Sequence, residues 1–380
     1  MKKLCLLLSA LVFAAFVGCA PRIPSPSYEN GGEDGYFTAM WVATVSGLDF
    51  TGVDRSVSQQ KHALGEMVKT AETCGFDAIY FQVRPEADAF YSSEIFPRSR
   101  WAGEGDFDQL AYLCKLAAKA GIEVHAWINP YRVCATPDMT PGAGSIAARF
   151  PQLMIRGGDG KLYLDPGNPD SITLVVDGVR EILDNYAVSG IVFDDYFYPS
   201  NVAFDDSASF KKYGGTLSLE DWRRENTYAL VKRVCDTVRG YEGKVFGISP
   251  IGIWQNSKND PLGSDTDGLE SYKAIYADTY KWVKDEIVDY IAPQIYWEHG
   301  HALADFKTVA KWWNEAVDGT DVALFICHGA YRLTDGSFEQ DEIPRQLSTL
   351  AGLSNVKGSL FYRYRDIPLL LEYFRENFGS

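Results

Sequence analysis

The sequence predicts an α/β protein, a (β/α)₈ TIM barrel with long loops at the carboxyl ends of its strands. From Tyr36 onward, eight short apolar, β-rich runs alternate with longer helix-like segments, which is typical of βα units and a parallel sheet. Connections before strands are short and those after strands are long, as in such barrels. A doubly wound open sheet shares the alternation, but eight successive units and the lack of a Gly-rich phosphate loop after the first run favour the barrel.

The strands follow from runs that are short, apolar and rich in β-branched and aromatic residues. In chain order they are predicted at residues 37–44, 78–83, 123–128, 190–194, 245–248, 290–296, 322–327 and 359–362. The helix-like segments between them are predicted at residues 60–73, 107–120, 172–186, 219–239, 272–286, 304–317 and 343–350.

The long connections predict where a binding site lies. Residues 84–106, 129–170, 196–218 and 249–271 each follow a strand and are crowded with Trp, Tyr, Asp and Gly. Because the loops after strands share one rim of a barrel, that rim is predicted to carry the chemistry.

Composition excludes several classes of protein. With 46% hydrophobic, 14% aromatic and 23% charged residues, the chain is globular and neither disordered nor fibrous. A net charge of -15 repels phosphate backbones, so nucleic acid is not an expected partner. The 380 residues allow two domains, but α/β barrels of more than about 250 residues occur as one.

The N-terminus indicates export. Lys2 and Lys3 precede an apolar run, residues 4–17, that is too short to span a bilayer but suits a signal-peptide core. The run ends in Phe-Val-Gly-Cys19, which resembles a bacterial lipobox and implies a diacylglycerol on the Cys19 thiol with cleavage just ahead of it. The alternative is an ordinary signal peptide that contains a cysteine.

The sequence therefore divides into three parts. They are a signal peptide at residues 1–18, a lipidated flexible tether at 19–35 that is rich in Pro, Ser and Gly, and the barrel at 36–380. We expect a lipid-anchored protein of the bacterial cell envelope, attached to the membrane through Cys19. In a Gram-negative envelope, Ala20 after Cys19 favours the outer membrane. Whether the protein lies on the periplasmic or the surface face of that membrane stays open.

Cofactor and metal motifs are missing from the sequence. It has no CxxC or Cys/His cluster, HExxH, EF-hand or GxSxG pattern, so we expect no cofactor, metal or disulfide framework and no nucleophilic serine or cysteine. Cys74, Cys114 and Cys235 fall in helix-like stretches and are predicted to be buried free thiols.

Two adjacent carboxylates end the fourth predicted strand. Asp194 and Asp195 follow the run Gly-Ile-Val-Phe and precede the aromatic run Tyr196-Phe-Tyr198. Because neighbouring strand residues point to opposite sides, one aspartate should face the barrel mouth while the other is hydrogen-bonded in the wall. We assign the chemistry to Asp195 and support to Asp194. In the alternative interpretation both hold loops or bind a cation.

A second carboxylate is expected across the substrate. Cleavage of a glycosidic bond uses one carboxyl group to protonate the leaving oxygen and another as nucleophile or as the base that activates water. Glu298, after the sixth predicted strand, is the candidate partner of Asp195. Glu86 and Asp88, after the second strand, are rival proton donors, and a solvated rim acid is the alternative for Glu298.

Polar groups for hydroxyls and flat rings for sugar faces are expected to converge at the same rim. Two alternatives stay open, in which His125 is a core histidine and Arg84 and Arg132 neutralise nearby acids instead of binding a substrate carboxylate. The predicted substrate-binding residues are Trp41, Arg84, Asp88, His125, Trp127, Asn129, Tyr131, Arg132, Tyr196, Tyr198, Trp254, Gln294, Tyr296 and Trp297.

A set of ordered motifs carries a family resemblance. They are MWVAT at residues 40–44 with Asp49, QVRP at 82–85 with DAFY at 88–91, VHAWINPYR at 124–132, YLDPGNP at 163–169, residues 190–199, GISP at 247–250 with GIW at 252–254, and PQIYW at 293–297. With these motifs the chain resembles the glycosyl-hydrolase-like 10 family of exported bacterial proteins over roughly residues 37–361. Glu86, where a small residue is expected, and the loosely matching last strand depart from the pattern.

The resemblance implies a (β/α)₈ barrel related to glycoside hydrolases, with Asp194 and Asp195 as candidate nucleophile or base. Members act on bacterial cell-wall glycan, especially strands stripped of stem peptides. The leading hypothesis is therefore a glycoside hydrolase of peptidoglycan-type glycan, in which Arg84 or Arg132 binds the lactyl carboxylate of N-acetylmuramic acid. The alternatives are a non-catalytic glycan-binding lipoprotein and a hydrolase of a dietary or host polysaccharide.

Overall fold

The computed structural model describes residues 35–50 and 52–379. The signal peptide at residues 1–18, the lipidation site Cys19 and nearly all of the tether lie outside the described residues. Within the described part, no helix is both long enough and apolar enough to cross a membrane. Its five cysteines are buried free thiols, including the three predicted to be so: Cys74, Cys114, Cys134, Cys235 and Cys327.

Twelve strands form a barrel and one small sheet in the described chain. They are β1 Phe37–Val42, β2 Ala78–Arg84, β3 Glu123–Ile128, β4 Arg132–Cys134, β5 Met154–Arg156, β6 Leu162–Leu164, β7 Gly190–Phe193, β8 Val245–Ile248, β9 Tyr290–Ile291, β10 Gln294–Ile295, β11 Ala323–Gly329 and β12 Val356–Tyr362. The parallel order is β10-β11-β12-β1-β2-β3-β7-β8-β9, and β9 also pairs with β11. That pairing closes the sheet, so the predicted (β/α)₈ barrel is confirmed.

One stave of the barrel is interrupted. The run predicted as a single strand at residues 290–296 forms two short pieces, β9 and β10. Pro293 lies between them and has no N–H to donate to the ladder, while its carbonyl accepts a hydrogen bond from the Cys327 N–H at 3.0 Å. The two pieces together act as the sixth stave.

Helices surround the barrel and begin mostly with a capping side chain. The helices are α1 Val57–Cys74, α2 Gln109–Ala120, α3 Ile146–Arg149, α4 Pro169–Asn185, α5 Ser207–Tyr213, α6 Leu219–Val238, α7 Ser271–Ala274, α8 Thr279–Lys284, α9 Phe306–Ala316, α10 Tyr331–Thr334, α11 Glu342–Leu350 and α12 Leu371–Asn377. Ser56, Asp108 and Ser218 accept the hydrogen bonds that start α1, α2 and α6.

Two predicted segments have more structure than the sequence patterns indicate. The helix predicted at residues 272–286 is divided into α7 and α8, because Tyr276 adopts a left-handed φ of 53° and Asp278 then caps a new helix. The long connection after β3 contains an antiparallel sheet in the order β4-β6-β5. This sheet carries Arg132 to the rim above the barrel.

Alternate strand residues fill the barrel, while the others pack between the strands and the helices. The inward set is made of the residues Phe37, Ala39, Trp41, Ala43, Ala78, Tyr80, Trp127, Val192, Val245, Tyr290, Ala292, Phe325, Cys327 and Leu360. Gly247 belongs to this interior, and a Cβ there would lie 2.0 Å from the Tyr290 ring. The interior is therefore packed with side chains below the mouth of the barrel.

Candidate active site

A cavity of about 420 Å³ opens at the carboxyl ends of the strands. Its position is the one predicted from the long loops after strands. The side chains that line it are Trp41, Trp127, Asp194, Asp195, Tyr196, Ser249, Gln294, Tyr296, Tyr331, Tyr362 and Arg363. The structure thus brings both predicted aspartates together with five of the predicted substrate-binding residues.

Asp194 is buried and surrounded by donors. Trp127 Nε1 donates to its Oδ2 at 2.9 Å, and the backbone N–H of Tyr196 donates to its Oδ1 at 3.2 Å. Asn129 Nδ2 lies 3.3 and 3.4 Å from its two oxygens. These contacts fit the supporting role predicted for Asp194 and favour its ionised form.

Asp195 faces the same cavity, which differs from the expected opposite orientation of neighbouring residues. The strand β7 ends at Phe193, so both aspartates lie beyond the regular pleat and the alternation no longer applies. Gln294 holds Asp195 by donating from Nε2 to its Oδ1 at 3.2 Å, and the same amide donates to the Ser249 carbonyl at 2.9 Å.

The two carboxyl groups have different electrostatic surroundings. Burial, and then the charge of Asp194, raise the pKa of Asp195 from 3.8 to about 7. Burial also raises the pKa of Asp194, but the Arg132 charge and the hydrogen bonds from Trp127, Tyr196 and Asn129 lower it. Because more groups stabilise the negative charge of Asp194, Asp195 is the member of the pair whose pKa is raised close to neutral pH.

Aromatic rings form most of the cavity wall. Trp41 meets Trp127 edge-on with ring centroids 5.0 Å apart, and Tyr296 stacks on Tyr362 at 5.9 Å. Tyr196 stands at the rim and is 51% exposed. Flat apolar rings beside hydrogen-bonding carboxylates and amides are suited to the faces and hydroxyls of a sugar.

Four lining residues were not predicted: Ser249, Tyr331, Tyr362 and Arg363. Ser249 directly follows β8, Tyr331 lies shortly after β11, and Tyr362 and Arg363 lie at the end of β12. The strand-end rule that selected Asp195 would have found them. The last two predicted strands, residues 322–327 and 359–362, contain no acidic residue that would have marked their ends as a site.

The structure corrects the prediction for Arg84. Its guanidinium packs 4.4 Å from the Phe96 ring, and a Cβ on Gly178 of α4 would lie 2.6 Å from its Nη1. The register between β2 and β3 shifts after Gln82, so Arg84 pairs with the outward-facing Ile128. Arg84 is thus buried between the barrel and α4 and does not reach the cavity.

The histidine of the third strand also lies away from the cavity. His125 stacks on Tyr80 with centroids 4.5 Å apart, and its Nδ1 is 3.0 Å from the Tyr290 hydroxyl. These contacts lie deep in the barrel, below Trp127. The alternative of a core histidine therefore replaces the substrate-binding assignment.

The expected second carboxylate is not at the cavity. Glu298 lies three residues beyond β10 and is not among the lining residues. The rival acids are engaged elsewhere, since Glu86 Oε1 accepts the Ala135 N–H at 2.8 Å and Asp88 Oδ1 accepts the Glu86 N–H at 3.2 Å. Among the described lining residues, the carboxylates are Asp194 and Asp195 alone.

Two predicted residues act behind the cavity wall. Asn129 links Asp194 to the small sheet, because its Oδ1 accepts the Arg132 N–H at 3.1 Å. The Arg132 side chain donates to the Pro85 carbonyl at 2.9 Å and lies 4.5 Å from the Tyr196 ring. Arg132 thus supports Asp194 and Tyr196, which matches the alternative of a neutralising arginine.

The other predicted binding residues are placed in supporting layers. Tyr131 is fully buried, Tyr198 accepts a hydrogen bond from Asn226 Nδ2 at 3.1 Å, and Trp254 donates to Asp278 at 2.9 Å. Trp297 packs against the hydrophobic core. Because these four side chains and Asp88 are absent from the lining, direct substrate contact is not supported for them.

Comparison with known proteins is consistent across sequence and structure. The family described as Glycosyl hydrolase-like 10 matches residues 37–343. "Glycosyl hydrolase YngK" of Bacillus subtilis is 33% identical over 384 residues, covering 96% of this chain and 74% of the relative. "Glycosyl hydrolase DigH" of Escherichia coli K12 is 34% identical over 359 residues, covering 85% and 82%.

Solved structures are similar in fold. The glycoside hydrolase domain of PgaB (BpsB) from Bordetella bronchiseptica superposes with a TM-score of 0.58 at 14% identity, covering 90% of this chain and 99% of that one. The same arrangement of strands and helices is thus shared with a domain of distant sequence.

Proposed function

Because this chain belongs to the glycosyl hydrolase-like 10 family and is a glycoside hydrolase, we propose that it cleaves peptidoglycan-type glycan strands from which the stem peptides have been removed. The observation that carries the mechanism is the pair Asp194 and Asp195, two adjacent carboxyl groups that face one aromatic-lined cavity and have different electrostatic surroundings. The family resemblance supports the choice of glycan.

Asp195 acts as the general acid. Burial and the charge of Asp194 raise its pKa to about 7, so a large fraction of the protein has this group protonated near neutral pH. A proton donor with a pKa near the working pH transfers its proton efficiently to the glycosidic oxygen as that bond breaks. Gln294 orients the carboxyl group through its 3.2 Å hydrogen bond to Oδ1.

Asp194 is the second carboxylate of the reaction, the role expected of Glu298. Its negative charge, held by Trp127, Asn129 and the Tyr196 N–H, stabilises the positive charge that develops on the sugar ring in the transition state. Water then adds to the anomeric carbon, and the proton it loses returns to Asp195. The donors are already in place before substrate binds, so little reorganisation is needed. The sugar itself lies against the aromatic wall, which includes the Trp41 and Trp127 rings.

The experiment is digestion of intact and amidase-treated peptidoglycan, followed by mass spectrometry of the soluble products. We expect short glycan fragments from amidase-treated strands with the native protein and none with Asp195→Asn. The matched control is Asp236→Asn on the outer face of α6, which should cleave like the native protein. Fragments from another polysaccharide but from neither peptidoglycan sample would replace the proposed substrate.

We further propose that the enzyme is anchored in the cell envelope through a lipid on Cys19. The support is the sequence alone, namely the lysines, the apolar run and the lipobox-like end of the N-terminal segment. Cells fed an alkyne fatty acid should label the native protein and not Cys19→Ser, and fractionation should place the labelled protein in the membrane. Equal labelling of both forms would exclude Cys19 as the attachment point.

A further inference from the structure

We propose that Arg363 forms a binding subsite for a free carboxylate carried by the substrate sugar. The inference rests on the proposed function and makes it more specific. In a cell-wall glycan, the group that would bind there is the lactyl carboxylate of N-acetylmuramic acid. The enzyme would therefore recognise an acidic amino sugar and not simply a chain of neutral ones.

Arg363 is placed in the reaction cavity. It directly follows β12 and lines the same space as Asp194 and Asp195. Among the lining residues in the described chain, it is the one cationic side chain. An anionic substituent of a bound sugar thus has one charged partner of opposite sign within this cavity.

The two aspartates and the arginine of the cavity follow different strands of the barrel. Asp194 and Asp195 follow β7, whereas Arg363 follows β12, and β1, β2 and β3 lie between those two strands in the barrel. The intervening wall is aromatic, with the Trp127 and Tyr362 rings 6.4 Å apart. A sugar lying on these rings can present its glycosidic oxygen to Asp195 and a ring substituent to Arg363.

Two buried acids hold the arginine from one side. Its Nε lies 3.5 Å from Asp49 Oδ1 and 3.5 Å from Asp366 Oδ2. Asp49 is itself held by the Ala43 N–H at 2.6 Å, and Asp366 by the Thr334 hydroxyl. The guanidinium is thus paired with two anchored acids of the scaffold, at 3.5 Å and without a hydrogen bond from Nε.

Part of the Arg363 side chain reaches the cavity, where it also interacts with the Tyr362 side chain. The nearest nitrogen in both ion pairs is Nε, which is buried, yet 20% of the Arg363 side chain is exposed. The exposed part therefore lies elsewhere on the side chain, which lines the cavity. The terminal nitrogens of an arginine fork match the two oxygens of a carboxylate, so a held arginine loses little freedom when it binds one.

The arginines predicted from sequence are unable to take this role. Arg84 is buried between the barrel and α4, and Arg132 is engaged with the Pro85 carbonyl and the Tyr196 ring. The carboxylate partner expected of them is supplied instead by Arg363.

The chemistry of the wall polymer links this subsite to peptide-free strands. In intact peptidoglycan the lactyl carboxyl group forms an amide bond to the stem peptide and carries no charge. An amidase that removes the peptide releases the carboxylate. An arginine subsite would thus bind the peptide-free strand more tightly, through a charged contact that the peptide-bearing strand lacks.

The first test changes only the substrate. Amidase-treated glycan strands are compared with the same strands after carbodiimide coupling to methylamine, which converts each lactyl carboxylate to a neutral amide. With the native protein we expect kcat/KM to fall on the order of 10- to 100-fold on the amidated strands. Equal kcat/KM on both strands, with cleavage of each, would overturn the subsite and leave the proposed function intact.

The second test changes the protein. Arg363→Gln should lower kcat/KM on the free-carboxylate strand to about the level of the amidated strand and should leave the amidated strand almost unaffected. Arg363→Lys should be intermediate, since it keeps the charge and loses the fork. The control is Arg365→Gln, an exposed arginine two residues away that does not line the cavity. An equal loss on both strands would show that Arg363 has a general role instead.

A third measurement separates this inference from the proposed function. If the native protein cleaves no peptidoglycan sample, the proposed function fails, and the subsite is then tested by NMR titration of the Asp195→Asn protein with N-acetylmuramic acid and with N-acetylglucosamine. Tighter binding of the acidic sugar that is lost in the added Arg363→Gln variant supports the subsite. Equal binding of both sugars overturns it. Since the substrate comparison uses the native protein, a variant that fails to fold does not remove the test.

Discussion

Asp194→Asn and Arg132→Gln should move the pKa of Asp195 in opposite directions. The charge of Asp194 raises that pKa and the charge of Arg132 lowers it, after the larger effect of burial. Removing the negative charge therefore makes Asp195 easier to ionise, and removing the positive charge makes it harder. The two substitutions provide a signed test of how the pair divides its proton.

The size of the shift follows from Coulomb's law. For charges about 6 Å apart and an effective dielectric constant of about 20 to 40, the interaction is roughly 1–3 kcal/mol, or about one to two pKa units. We therefore expect Asp194→Asn to lower the pKa of Asp195 from about 7 to about 5 or 6. Arg132 ranks last among the causes acting on Asp195, so Arg132→Gln should raise that pKa by a smaller amount.

The assay is the pH dependence of kcat/KM on soluble glycan fragments, which reports the groups that ionise in the free enzyme. Asp195 must be protonated to act as an acid, so activity is present below its pKa and is lost as the pH rises through it. The alkaline limb should move to lower pH in Asp194→Asn and to higher pH in Arg132→Gln. Carboxyl ¹³C resonances, assigned by their loss in Asp195→Asn, report the same shift without turnover.

Two results would refute this reasoning. If both variants move the alkaline limb in the same direction, the limb belongs to another group. If neither variant moves it while the ¹³C titration shows Asp195 ionised at pH 5, the general acid lies elsewhere in the cavity.

The remaining predictions concern a hydrogen bond, a packing contact and a buried histidine. Trp127→Phe keeps a ring but loses the 2.9 Å hydrogen bond to Asp194. A hydrogen bond to a charged group contributes about 1.5–3 kcal/mol, so its loss should lower kcat/KM roughly 10- to 100-fold. Gly247→Ala places a Cβ 2.0 Å from the Tyr290 ring and should lower the free energy of unfolding in urea by at least about 1–3 kcal/mol. Burial lowers the pKa of His328 from 6.5 to about 4, so the native state resists protonation. The native state is therefore favoured fully above about pH 6.5, and this stabilisation is lost as the pH falls towards 4. At pH 5 the loss in the free energy of unfolding is about 2 kcal/mol. His328→Gln should remove that part of the pH dependence of stability.

Each of these three predictions has a control. Trp101→Phe changes an exposed tryptophan outside the cavity lining and should leave kcat/KM unchanged. Gly65→Ala lies within α1 where nothing comes within 4 Å of a new Cβ, so it should be neutral or stabilising. His62→Gln alters an exposed histidine and should keep the native pH dependence. A control that changes as much as its partner would contradict the corresponding explanation.

The barrel was predictable because its signals are local. A strand of a parallel barrel is a short apolar run, and the connection rule places long loops after it, so the eight units and the binding rim follow from the printed order of residues. Asp194 and Asp195 were found for the same reason. The break at Pro293 and the division of the helix at Tyr276 were missed, because patterns of hydrophobicity do not record a missing N–H or a left-handed φ.

The orientation of side chains depended on features that no short pattern contains. A register shift between β2 and β3 turned Arg84 outwards, and the end of β7 at Phe193 let both aspartates face one cavity. Glu298 follows a strand end as Asp195 does, yet it lies away from the lining. The strand-end rule selects residues near the mouth, and the local backbone decides which of them point into it.

The sequence by itself determined the fold class, the rim that carries the site and the acidic pair at the end of the fourth stave. Only the tertiary structure decided that the pKa of Asp195 is raised to about 7, since that pKa depends on burial and on the charge of Asp194. It also decided that Arg363, far along the chain from that pair, lines their cavity with Asp49 and Asp366 behind it. Strand pattern and loop length are properties of neighbouring residues, whereas the electrostatics of a site are sums over groups that only the closed barrel brings together.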